Sequence, residues 1–283
     1  SPKAAIDVTW RPGLLQYVSV SQGTKSAGFD YRAQTPGAAG RRQAELPYDP
    51  ETVTNYETGL KTEWLGGRLR ANLSAFYIRF VDIQITTTDP ATTISRRFNA
   101  GRGSTRGVEF EGTALPLPGL RFDVNGSWLK ARLDRFRGVA PAITALPDGL
   151  FLRSGPFEGA RLPYSPKWQG RFAATWTLPL QTPGAWTAQG AIQYQSASFT
   201  DVTNNFAVRL PRQTYIDGQI GYTTPDTHWT AAVQVKNLAN RRYALPPGYV
   251  AASGATPAAR IPIYRSTNYN DPRTVLLTLT YRR

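Results

Sequence analysis

The stretch Leu69-Arg70-Ala71-Asn72-Leu73-Ser74-Ala75-Phe76-Tyr77 decides the fold. Leu69, Ala71, Leu73, Ala75 and Tyr77 alternate with Arg70, Asn72 and Ser74. Successive strand side chains point to opposite faces, so a strand here carries one apolar and one polar face. Gly66-Gly67 precedes it, and both glycines can take the positive φ of a two-residue hairpin turn. Working outward, the pattern recurs. Trp168, Gly170, Phe172, Ala174, Trp176 and Leu178 oppose Gln169, Arg171, Thr175 and Thr177. Trp186, Ala188, Gly190, Ile192 and Tyr194 oppose Thr187, Gln189, Gln193 and Gln195. Trp229 to Val235 and Val275 to Tyr281 repeat it. Arg11-Pro12-Gly13, Leu117-Pro118-Gly119, Thr182-Pro183-Gly184 and Pro225-Asp226-Thr227 supply turn chemistry between such runs.

These short turns alternate with long polar segments, roughly 26–50, 88–97, 137–160, 200–211 and 244–272. The pattern predicts an all-β antiparallel protein of about eleven strands. Their expected positions are 4–11, 14–25, 51–65, 68–87, 97–115, 120–136, 161–179, 185–199, 212–224, 228–243 and 273–282. No helix is required. A soluble β-sandwich also alternates, but two features favour a transmembrane β-barrel. The polar faces are long, as a wet lumen requires. Trp10, Trp64, Trp168, Trp186 and Trp229 each lie near a short turn or a strand end, where a membrane-interface aromatic girdle belongs. Short turns on one side and long loops on the other are themselves a mark of outer-membrane barrels. The whole chain, 1–283, is expected to form one such barrel domain.

Composition narrows the alternatives. Of 283 residues 41% are hydrophobic and 12% aromatic, which excludes a disordered chain. No run of eighteen apolar residues occurs, so a membrane-spanning helix is excluded. Cysteine is absent, and with it any disulfide framework or thiolate metal site. Methionine is absent even at position 1, so the chain reads as a segment of a longer product.

Enzyme chemistry finds little support, and no cofactor is expected. The single histidine, His228, sits in a short turn and reads as a solvated turn residue. Glu109 and Glu111 share one strand face, and are expected to pair with Arg or Lys of neighbouring strands rather than act as an acid/base couple. No cluster of metal ligands appears, so any iron would arrive chelated. The net charge of +14 comes mostly from arginine. Arg41, Arg42, Arg96, Arg97, Arg153, Arg209 and Arg265 fall in or beside the long segments, with Tyr249 and Tyr264 among them. Guanidinium forks grip carboxylates and phosphates. Three uses compete: outer-membrane lipid and lipopolysaccharide phosphates, an anionic small-molecule ligand stacked on the tyrosines, or simple solubility and counter-charge pairing. Nucleic acid is not expected, because the basic residues are scattered and form no known module.

Several motifs then fall in a familiar order. They are Pro50-Glu51 with Asn55-Tyr56-Glu57 and Gly59-Leu60-Lys61, then Asn99-Ala100-Gly101 with Gly107-Val108-Glu109 and Glu111. Leu162-Pro163-Tyr164 with Pro166-Lys167 follows, then Val235, Asn237-Leu238 and Tyr243. In order and spacing the chain resembles the C-terminal half of the barrel of TonB-dependent outer-membrane receptors. The resemblance implies about half of a 22-stranded wall. It further implies a plug domain and a TonB contact lying elsewhere, and energy-coupled uptake of a scarce ligand such as a ferric siderophore. One departure is the ending Tyr281-Arg282-Arg283, where the family usually finishes on an aromatic residue.

Overall fold

The computed structural model describes all residues except 30–46, 89–94, 137–139, 147–148, 156, 203, 205–207, 246–247, 252–262 and 267. Along the chain, β1 (Lys3–Arg11) and β2 (Leu14–Lys25) form a hairpin, followed by a short pair, β3 (Gly28–Phe29) and β4 (Pro47–Tyr48). Next come β5 (Glu51–Trp64) and β6 (Leu69–Val81), then a small hairpin of β7 (Gln84–Thr88) and β8 (Ser95–Asn99). The long strands β9 (Gly101–Leu117) and β10 (Leu120–Phe136) precede the hairpin β11 (Ala140–Leu146) and β12 (Gly149–Gly155). β13 (Trp168–Leu178) and β14 (Ala185–Gln195) lead to the short pair β15 (Ser198–Phe199) and β16 (Arg209–Leu210). β17 (Gln213–Thr223) and β18 (Trp229–Lys236) follow, then the hairpin β19 (Gly248–Ala251) and β20 (Ile263–Ser266), and finally β21 (Thr274–Tyr281).

Eleven of these make one antiparallel sheet in the order β1-β2-β5-β6-β9-β10-β13-β14-β17-β18-β21. Every strand pairs only with its chain neighbours in the sheet. The ten smaller strands pair off in twos within the long connections. The first and last strands do not meet, so the sheet is open.

The eleven expected strands are all present, but several end early. The expected strand 68–87 stops at Val81, because Asp82 turns left-handed at φ 53° and β7 departs into its own hairpin. The expected 97–115 is likewise divided at Ala100 between β8 and β9. Residues 161–167 precede β13 and include Tyr164 at φ 52°. The strand expected to run to 243 ends at Lys236, before Asn237 at φ 50°. Asp and Asn are among the few residues that adopt this region readily.

A sandwich would bury one face of the sheet against a second sheet. Here the apolar face is open: Ile6 is 72% exposed, Phe172 43% and Leu277 78%. The neighbouring rows on that face match across strands, as in Tyr56 opposite Tyr77, Val124 opposite Phe172, Phe172 opposite Ile192, and Val233 opposite Leu277. So broad an apolar surface needs a solvent other than water. A packed apolar cluster sits on the long-connection rim, where Ile83, Ala100, Leu133 and Phe136 are buried against Phe80, Ile85, Phe98, Phe157 and Leu162.

Candidate functional site

Two surfaces carry the chemistry: the polar face of the sheet and the rim that bears the long connections. On the polar face Tyr17 donates to Glu57 Oε1 at 2.6 Å, and Asn55 Nδ2 reaches Glu57 Oε2 at 3.3 Å. Arg or Lys partners are expected for Glu109 and Glu111, but among the described residues neither forms an ion pair and no cation stands directly opposite them. Their cross-strand neighbours are Ser74 and Asn72 on β6, and Ser127 and Asn125 on β10. A polar depression of about 370 Å³ runs from these glutamates past Asn125 and Gln169 to Arg171 and Gln193. Its lining offers both donors and acceptors, and it suits a hydrated surface or the polar surface of another domain.

The rim is held by side chains of the motifs, namely Glu51, Asn99, Asn237 and Tyr243, together with Gln84 and Arg161. Glu51 is buried and accepts from the Gln84 backbone N–H at 2.7 Å. Gln84 Nε2 bridges the carbonyls of Ser26 and Asp49 at 2.9 and 3.0 Å. Asn99 Nδ2 donates to the carbonyls of Asp49 and Asp82, while its Oδ1 accepts from the Asp49 N–H. Asn237 does the same further along. It donates to the carbonyls of Arg241 and Asp271 and accepts from the Arg241 N–H, while its own backbone N–H donates to Asp217 Oδ1 at 2.8 Å. The Tyr243 hydroxyl bonds both the N–H and the carbonyl of Thr214 at 3.0 Å. Arg161 is turned inward to the carbonyls of Ser165 and Ala197 over the Phe199 ring, and burial lowers its pKa. These residues close backbone polar groups that a strand end leaves open. Their motif positions thus read as anchors of the rim, which the sequence patterns alone did not reveal.

The predicted ligand residues lie on that rim where they are described. Arg97 stands over the Tyr48 ring at 5.6 Å, its Nε 3.4 Å from Thr86 Oγ1, and the Arg96 backbone pairs with Thr87. Arg153 pairs with Ala142 in the β11–β12 hairpin, and Arg209, exposed, with Phe199. In the β19–β20 hairpin Tyr249 pairs with Arg265, and Tyr264 with Val250. β12 touches β20, so the backbones that carry Arg153 and Arg265 converge. Arg41 and Arg42 lie outside the described residues.

The five tryptophans divide between the two rims. Trp10, Trp64, Trp186 and Trp229 sit at the short-turn end, where Trp186 packs on Tyr222 and Trp229 on Tyr281 at 5.0 and 4.8 Å between centroids. Trp168 sits at the opposite end beside Trp128, 6.4 Å away. Tyr56 and Trp64, Trp168 and Trp176, and Trp186 and Tyr194 are each eight residues apart on one strand face. That spacing is about 26 Å along a strand.

Residues 1–238 match a family described as TonB dependent receptor-like, beta-barrel. The pesticin receptor of Yersinia pestis is 24% identical over 256 residues, covering 90% of this chain and 33% of that receptor. The ferric-pyoverdine 358 receptor of Pseudomonas putida is 26% identical over 246 residues, covering 83% of this chain and 24% of its own length. Among solved structures, the ferric yersiniabactin uptake receptor of Yersinia pestis superposes with a TM-score of 0.74 at 20% identity, over 99% of this chain and 36% of that one. The ferric preacinetobactin receptor of Acinetobacter baumannii gives 0.66 at 20% identity, over 99% and 36%. The chain therefore spans about a quarter to a third of the length of these relatives.

Proposed function

The chain belongs to the TonB-dependent receptor β-barrel family, and from that premise we propose that it forms part of the wall and outer loops of a Gram-negative outer-membrane importer of ferric siderophores. The observation that supports this most is the division of the sheet. One face is apolar and uncovered, the other is polar, and the arginine- and tyrosine-bearing connections gather on one rim. The apolar face meets lipid. The aromatic rows near each rim, Trp10, Trp64, Trp186 and Trp229 at one and Trp168 at the other, sit at its two interfaces. An anionic iron chelate is captured at the rim by guanidinium forks and stacked rings, the roles offered for Arg41, Arg42, Arg96, Arg97, Arg153, Arg209, Arg265, Tyr249 and Tyr264. The polar face then lines the route inward. Parts of the receptor corresponding to the remaining length of its relatives would supply a plug and the contact with the TonB complex.

The names of the ferric yersiniabactin, ferric preacinetobactin and ferric-pyoverdine receptors support this substrate class. The test is uptake of radioactive iron, supplied as each of these chelates, by cells making the receptor that carries this segment. Uptake of one chelate that stops when TonB is deleted is the expected result. Equal uptake with and without TonB, or none for any ferric chelate, overturns the proposal.

A further inference from the structure

Above the apolar band, the lipid-side face of three adjacent strands turns basic. The face is fixed by alternation. A Cβ on Gly107 would meet the Phe76 ring at 2.7 Å and one on Gly103 would meet Ile83, so both point to the polar side, and Arg102, Ser104 and Arg106 point away from it. Register assembles the rest. Arg106 lies between Tyr77 and Lys130, and Ser104, one step higher, between Arg79 and Arg132. Arg102 lies opposite Arg135. All six cations are exposed. Arg132 pairs with Asp134 at 2.9 Å, and no acidic partner faces the other five among the described residues. Like charges directly opposite, as Arg106 and Lys130 are, destabilise a sheet unless something answers them.

Directly below is an apolar groove of about 420 Å³ lined by Val108, Phe110, Trp128 and Trp168, with Gly126 in its floor. Gly126 is paired with Phe110 on one side and Gly170 on the other, so two adjacent positions lack side chains and a trough opens between the rings. The height also fits. Leu69 to Arg79 and Leu120 to Lys130 each span ten residues. That is about 33 Å along a strand, or about 25 Å along the membrane normal at the usual tilt. The cations therefore stand where the hydrocarbon ends on the long-loop side.

We propose that this surface is a binding site for a phosphorylated, multiply acylated glycolipid of the outer leaflet. Arg79, Arg106, Lys130 and Arg132 hold its phosphates, and the Gly126 groove takes an acyl chain. The site rests on the outer-membrane reading above, but not on the siderophore. It differs from lipid capture by the long loops, since its cations lie within β6, β9 and β10.

The test uses the receptor carrying this segment, purified from outer membranes in mild detergent, with bisphosphorylated lipid A as the probe and bound lipid read by native mass spectrometry. The Arg106→Gln/Lys130→Gln double variant should bind at least tenfold more weakly, and inorganic phosphate should not displace the lipid. Gly126→Val provides a second route. A Cβ there meets only the Gln169 carbonyl at 3.6 Å, so the fold accommodates it while the groove fills, and lipid retention should drop several-fold. Arg209→Gln, on a long connection, should leave binding unchanged. Retention unaffected by both wall variants, or release by Arg209→Gln instead, overturns the site. A parent protein absent from the outer membrane sinks the underlying reading as well, and is distinguished by fractionation before any lipid is added.

Discussion

Asn237 carries a large share of its rim through one side chain. It sits at φ 50°, and its amide satisfies two carbonyls and one N–H from segments up to 34 residues away. Asn237→Ala loses all three bonds and keeps the left-handed backbone without a residue suited to it. A cost of about 2–3 kcal/mol is expected. Asn237→Gly, which relieves only the backbone, should fall between the two, and thermal unfolding in detergent followed by gel mobility ranks the three. At the opposite rim Asp226 organises the turn before Trp229. It accepts from the Thr224 hydroxyl and from the His228 N–H at 3.1 Å, and these bonds, with the histidine beside it, hold its carboxyl below the usual range. A depressed carboxyl stabilises the turn fully above the ordinary Asp value of about 4, and the benefit fades as pH falls through the lowered native value. Amide exchange at Trp229 should thus gain protection with rising pH across that acidic window, once corrected for intrinsic rate. The Asp226→Asn variant should show no such dependence.

At the scale of the element, β9 has no room for a side chain at Gly107. A Cβ on Gly107 would stand 2.6 Å from the Trp128 carbonyl and 2.7 Å from the Phe76 ring, so β6, β9 and β10 close on it from both sides. Gly107→Val should prevent the native register, seen as loss of the folded, faster-migrating band on an unheated gel. At Gly190 an added methyl would meet nothing within 4 Å, so Gly190→Ala should have little effect in the same assay. Elements were also the level most legible in the sequence. Period-2 runs between Pro-Gly and Gly-Gly turns located all eleven wall strands, because alternation is a local property of each run. Strand ends were less legible, since Asp82 and Asn237 break their strands through backbone conformations that local hydropathy does not encode. The basic patch was not legible at all. Arg79, Arg106 and Lys130 are separated by more than twenty residues in sequence and become neighbours only through cross-strand register. The glutamates show the converse: an expected pairing with cations gave way to Ser and Asn neighbours once register was known.

For the molecule as a whole, the decisive quantity is the uncovered apolar face. Val275, Leu277 and Leu279 on the last strand are 64%, 78% and 67% exposed, and β21 bonds to β18 alone. Residues 1–283 by themselves should aggregate in water and remain dispersed in detergent, as sedimentation with and without detergent would show. In planar bilayers they should give no uniform conductance step, because an open sheet encloses no lumen. A steady single-channel level would require closure by some other pairing. The connectivity carries a separate consequence. Since every wall strand bonds only to the strands before and after it, the protein is built by accretion: each hairpin adds to a template already laid down and leaves earlier registers untouched. Every closure joins strands consecutive in the wall, by a tight turn or by a long connection whose closure cost rises only slowly with length, and the wall can lengthen or shorten by a pair of strands without rewriting the remainder. Width in such a molecule is counted in hairpins, which makes the hairpin the unit in which a lineage can vary it.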